Sequence, residues 1–131
     1  MTAFVDTNVL VRHLTGEPTE QARRATAFLA QADELLLTDL VVGELVSVLE
    51  SFYEVERPRV VELVRAVLAF AAIVVADPPL LFRGLELYEV YRLDFAEAYL
   101  VASAERSGIG VVASFDRSID RVPTVRRVEP V

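Results

Sequence analysis

The 131-residue sequence predicts one domain of the α/β class, a parallel sheet of four to five short strands flanked by helices on both faces. Short strand-like apolar runs alternate with longer segments whose apolar residues recur every three to four positions. At least one helical segment separates almost every pair of successive strands, so the strands must pair in parallel through crossovers. A hydrophobic fraction of 53% with only 5 Gly and 6 Pro marks a folded chain, not a disordered one.

The elements follow in order. Ala3–Val5 reads as a strand, Val9–Leu14 as one or two helical turns, and Thr19–Gln31 as a helix opened by Pro18 and Thr19. Glu34–Leu37 is the second strand. Leu40–Glu54 has apolar residues at 41, 45, 48, 49 and 52, a helical spacing broken by "ERPR", and Pro58 opens another helix to about Phe70. Ile73–Val75 is the third strand. Leu80–Tyr91 and Phe95–Ser107 are helical, and Gly108 and Gly110 stop the latter before the strand Val111–Ser114. Val125–Val128 adds an edge strand.

Composition narrows the chemistry. There is no Cys, and His13 is the single histidine, which excludes disulfides, thiolate nucleophiles and zinc sites built from Cys or several His. All 13 basic residues are Arg, against 20 acids, for a net charge of −7. An acidic balance argues against a polyanion partner unless the acids gather around a cation. No signal-peptide pattern or run of membrane-spanning length is present, so a cytoplasmic protein without membrane attachment is expected. The apolar excess suggests a surface covered by a second chain.

Five carboxylates stand out. In parallel sheets, ligands gather at the carboxyl ends of strands. Asp6 follows the first strand and Asp116 the fourth, and each also suits a turn or a helix cap. Glu44 shares a helical face with Leu40, Val41 and Val48, opposite a stripe of Gly43, Ser47, Glu50 and Glu54. A glutamate at the margin of an apolar face calls for a cationic partner or a metal, with a flexible reach to solvent as the alternative. Asp94 and Glu97 have the spacing of a capping box, and equally place two acids on the first turn of a helix. Brought together, these acids would repel unless a hard cation held them, and oxygen ligands favour Mg²⁺ or Mn²⁺. Without them the remaining acids nearly balance the arginines.

"FVDTNVLVRHL", "VVGELVSVL" and "DFAEAYLVASAERSGIGVVASFDRSI" resemble, in order and across essentially the whole chain, the PIN-domain family, and within it the VapC-type toxins of prokaryotic toxin–antitoxin pairs. The resemblance implies an endoribonuclease that uses one or two Mg²⁺ or Mn²⁺ ions, leaving 5′-phosphate and 3′-hydroxyl ends. It assigns Asp6, Glu44, Asp94 and Asp116 as acidic ligands and catalytic residues, with Thr7, Asn8 and Ser114 as supporting polar groups. The family usually has Asp-Phe-Ala-Asp-Ala where this chain has Glu97 as the second acid, so both Asp94 and Glu97 are carried as ligands. Metal-assisted hydrolysis is the implied reaction, with a cation-bound water attacking the phosphodiester.

Further expectations attach to that resemblance. Arg12, Arg92, Arg117 and Arg121 flank the acidic motifs and are candidates for RNA binding, each with a surface arginine as its alternative; His13, beside Arg12, is a further candidate for substrate binding, with a packing or capping role as its alternative. The family pairs with VapB-type antitoxins, and "LESFYEV" or the helix from Pro58 to Phe70 offers a face for an antitoxin or for a homodimer. A haloacid-dehalogenase-like phosphatase would need an aspartate where Asn8 stands, and a phospho-receiver domain needs a lysine this chain lacks. A PIN-like scaffold that binds RNA or protein without cleaving is the alternative that Glu97 keeps open.

Overall fold

All strand pairs are parallel, as the helices between strands require. The computed structural model describes residues 1–131 and divides into two compact units, Met1–Ala76 and Asp77–Val131. The strands therefore form two sheets, one in each unit.

In the first unit the order along the chain is β1 (Thr2–Phe4), α1 (Thr7–Thr15), α2 (Thr19–Gln31), β2 (Glu34–Leu36), α3 (Asp39–Ser51), α4 (Arg57–Leu68) and β3 (Ile73–Val74). β2 is central, pairing Leu35 with Ala3 on one side and with Ile73 on the other. β1 lies at the sheet edge, and Phe4 is 72% exposed, so the strand leading to Asp6 is less buried than its apolar sequence suggests. Leu10 and Val11 of α1, Leu29 of α2, Leu35 of β2 and four valines of α4 (Val60, Val61, Val64 and Val67) are buried in the core. The stripe of α4 that offered a partner face is therefore core.

α3 is rotated relative to the face read from its periodicity. Val42, Leu45, Val46 and Leu49 are buried, while Leu40 is 83% exposed and Glu44 lies on the exposed side. Leu40, Val41 and Val48 are the three- and four-residue neighbours of Glu44, but over the whole helix Asp39, Gly43, Glu44, Ser47 and Glu50 fall on one arc, and that arc faces outward. Glu44 incurs no burial cost and needs no compensating charge. The helix starts at Asp39 because the Thr38 side chain caps it, accepting from the Val41 amide at 3.2 Å.

The second unit runs α5 (Pro78–Val90), α6 (Phe95–Ser107), β4 (Val111–Ala113), a 3-10 helix (Arg117–Arg121) and β5 (Arg126–Val128). α5 and α6 pack closely, with Gly84 facing the backbone of Tyr99. Gly108 adopts φ of 79° and ends α6 in the left-handed conformation that glycine takes without a Cβ clash. The expected tail strand pairs with β4, Val112 opposite Arg127. The Arg127 guanidinium ties this strand to the 3-10 helix through Asp120 at 3.0 Å, and also reaches Glu129 and the Ser114 carbonyl.

Candidate functional site

In the first unit, Asp6 stands just past the end of β1 and caps α1, its Oδ1 accepting from the Thr7 amide at 2.8 Å. This cap extends α1 back to Thr7, two residues earlier than periodicity indicated. The Asp6 carboxylate is exposed, whereas Thr7 is buried and its Oγ1 has no hydrogen-bond partner. A buried hydroxyl without a partner is costly, and it sits directly beside an exposed carboxylate. Asn8 is exposed on the first turn. Glu44 projects from α3, which packs against α1.

His13 is a packing residue. Its Nδ1 lies 2.8 Å from the Thr26 hydroxyl, its ring meets Phe70 edge-on at 5.2 Å, and burial pulls its pKa below the ordinary value. Arg12 links α1 to α2, its Nε donating to Gln21 Oε1 at 2.8 Å.

In the second unit three acids meet the ends of two helices. Asp94 caps α6, accepting from the Glu97 amide at 2.8 Å. The Glu97 carboxyl engages the 3-10 helix, where the Ser118 hydroxyl donates to its Oε2 at 3.1 Å. Asp116 caps that helix through the Ser118 amide at 2.8 Å, and its own amide donates to Ser114 Oγ at 2.9 Å. Ser114 thus fixes the turn that follows β4. Ser118 escaped the reading of the sequence, although Asp-x-Ser just after a strand is the signature of such a cap.

Glu97 and Asp116 share a hydrogen bond that moves their pKa values apart. Glu97 is raised, first by that bond and then by burial, with the charges of Asp94 and Asp116 adding and the Ser118 hydroxyl opposing. Asp116 is lowered to about 2, first by the hydrogen bond with Glu97 and then by the Ser118 hydroxyl and amide. The pair is coupled, with Asp116 the stronger acid of the two.

Arg121 Nη1 donates to the carbonyls of Tyr91 at 3.3 Å and Arg92 at 3.1 Å, so this arginine caps the end of α5. Arg92 holds φ of 57°, the left-handed turn out of that helix, with an exposed side chain. Arg117 is exposed and forms no hydrogen bond or ion pair.

Every donor offered by these carboxylates is oxygen, which suits a hard divalent cation. In neither unit do three or more acidic or imidazole side chains converge into a ready-made cage.

Parallel strands joined by helices, with aspartates just beyond strand ends, define an α/β protein whose polar chemistry is carried by carboxylates. The PIN domain family model matches residues 3–125, and the chain belongs to the PIN-domain family. Among solved structures, VapBC2 from Rickettsia felis bound to a DNA fragment from its promoter is a distant likeness, at 14% identity and a TM-score of 0.39 over 98% of each chain. Comparison with curated proteins gives no match.

Proposed function

We propose that this PIN-domain protein is a divalent-metal-dependent endoribonuclease, the toxin of a VapBC-type pair, that hydrolyses RNA phosphodiester bonds in the cytoplasm. The observation that carries the reading is that Glu97 of α6 and Asp116, just past β4, both bond to Ser118, at 3.1 Å and 2.8 Å, which brings two carboxyl groups together within a PIN domain. Asp6, Glu44 and Asp94 are assigned with them as ligands, and Mg²⁺ or Mn²⁺, when bound, supplies a water of lowered pKa and positive charge for the phosphate.

The residues have separable tasks. Asp116 is ionised at neutral pH and offers an acceptor oxygen. Glu97, with its pKa raised by Asp116 and by burial, is the weaker acid of the pair, and the Ser118 hydroxyl holds its carboxyl in place. Asp6 spends one oxygen on the α1 cap, which fixes the carboxylate while Oδ2 stays available. Ser114 and Ser118 hold Asp116 and Glu97 in place through the bonds described above. Arg117, with no internal partner, is available to phosphate, whereas Arg121 is committed to the carbonyls of α5's end.

A VapB-type antitoxin and a second copy of the chain are part of the same proposal. Phe52, 77% exposed and edge-on to Tyr53 at 4.9 Å, supports an apolar contact face at "LESFYEV".

The test is cleavage of a mixed tRNA and rRNA pool by antitoxin-free protein with Mn²⁺, with Mg²⁺ and with EDTA, beside Asp6→Asn. Discrete fragments that require metal and disappear in the variant are expected. An intact pool together with no Mn²⁺ binding by titration calorimetry refutes the nuclease; Mn²⁺ binding without cleavage selects the non-cleaving scaffold.

A further inference from the structure

Five of the 13 arginines form ion pairs with carboxylates: Arg23 with Glu20, Arg59 with Glu62, Arg83 with Glu105, Arg106 with Asp77 and Arg127 with Asp120. Arg12 and Arg24 do not, and both line one cleft. It lies between α1 and α2, with a volume of about 490 Å³, and Asn8, Gln21 and Phe28 share its walls. No carboxylate lines it, so two uncompensated positive charges are concentrated there in a chain of net charge −7. Gln21 accepts from Arg12 Nε at 2.8 Å, which orients the guanidinium and leaves both its terminal nitrogens free. Arg24 forms no internal hydrogen bond and is exposed, and Phe28 is 38% exposed. The volume falls within the roughly 300–1,000 Å³ typical of ligand sites.

We propose that this cleft is a nucleotide subsite for single-stranded RNA, in which Arg12 and Arg24 hold a backbone phosphate and Phe28 stacks on an unpaired base. Guanidinium groups bind phosphate with paired N–H donors, and an aromatic face accepts any base. The amides of Asn8 and Gln21 can meet base edges with both donors and acceptors. That mixture distinguishes a nucleotide from an acidic peptide, for which the guanidinium groups alone would suffice. Asn8, on the first turn of α1 that Asp6 caps, is the lining residue nearest to Asp6 in sequence. The choice of RNA as ligand rests on the nuclease reading above; the chemistry of the cleft does not depend on cleavage.

The test is fluorescence anisotropy with a short fluorescein-labelled single-stranded RNA in EDTA, so that binding is read without catalysis. Wild type, Arg12→Gln, Arg24→Gln and Phe28→Leu are titrated across a range of salt concentrations, with thermal melts confirming that each is folded. Each arginine variant should bind more weakly and lower the slope of log affinity against log salt by about 0.7, one phosphate contact on a single strand. Phe28→Leu should bind about fivefold or more weakly with the slope unchanged. Wild-type affinity and slope in all three variants would overturn the subsite. So would displacement of the RNA by polyglutamate with equal efficiency from wild type and Phe28→Leu, which would assign the cleft to an acidic protein segment. RNA bound through the cleft but left uncut in Mn²⁺ would refute the nuclease and leave the subsite standing, whereas cutting with unaltered binding by the variants would do the reverse.

Discussion

Replacing Thr7 by Val separates the stability of this fold from its proposed chemistry. Thr7 is 4% exposed and its Oγ1 has no hydrogen-bond partner, so the folded chain bears the desolvation of a hydroxyl without recovering it. Such a group costs about 1–3 kcal/mol. Val has nearly the same shape and helix propensity, and the Asp6 cap survives because it uses the Thr7 backbone amide. Exchange of Thr for Val at a satisfied site usually destabilises, so the sign here is diagnostic. The metal-free variant should be more stable by about 1 kcal/mol, raising the melting temperature by about 4 °C for a chain of this length. Scanning calorimetry and urea titration in EDTA measure this directly. If the hydroxyl serves the Asp6 site, Mn²⁺-dependent RNA cleavage should fall about tenfold in the same variant, a loss of about 1.4 kcal/mol of transition-state stabilisation. A variant less stable than wild type in EDTA by 1 kcal/mol or more, on the order of one satisfied hydrogen bond, would refute the reasoning.

The orientation of α3 and the pairing of α6 give two further tests. Leu45→Ala, at a fully buried position, should cost about 2–5 kcal/mol in urea unfolding, whereas Leu40→Ala, at an 83% exposed position, should stay within about 0.5 kcal/mol; equal losses would contradict the observed face. Glu105 accepts from Arg83 Nε at 2.8 Å and Nη2 at 2.9 Å, which depresses its pKa below the ordinary 4.5. Its folded pKa is lower than its unfolded one, so its stabilisation is present above about pH 4.5 and is lost as pH falls through the folded value. Glu105→Gln should therefore flatten the acid limb of a urea-midpoint profile between about pH 7 and pH 3; an unchanged limb would show that the pair contributes nothing to pH-dependent stability.

The architecture was legible because its signals are local and repeated. Thr19–Gln31 and Phe95–Ser107 are helices with the limits read from the sequence, since Pro18, Asp94 and Gly108 mark their ends chemically. Parallel pairing followed from the helices between strands, whose crossovers leave no room for hairpins. Even Val125–Val128 was visible as a strand beside its proline, although its pairing with β4 was not.

The sequence by itself determined the α/β class, the order of elements and the residue types available for chemistry, because composition and periodicity constrain the backbone one segment at a time. Tertiary structure decided what those residues do. Spacing made Asp94 and Glu97 equally a capping box and a pair of ligands; the folded chain uses Asp94 as the cap and turns the Glu97 carboxyl to Ser118 and Asp116, about twenty residues along the chain. Arg121 looked like a free cation until the end of α5 supplied two carbonyls for it. Glu44 has Leu40, Val41 and Val48 as its three- and four-residue neighbours, yet with Val42, Leu45, Val46 and Leu49 packed inward it stands on the exposed side. A side chain's partners and burial come from segments remote in sequence, so local pattern names the candidates and long-range packing selects among them.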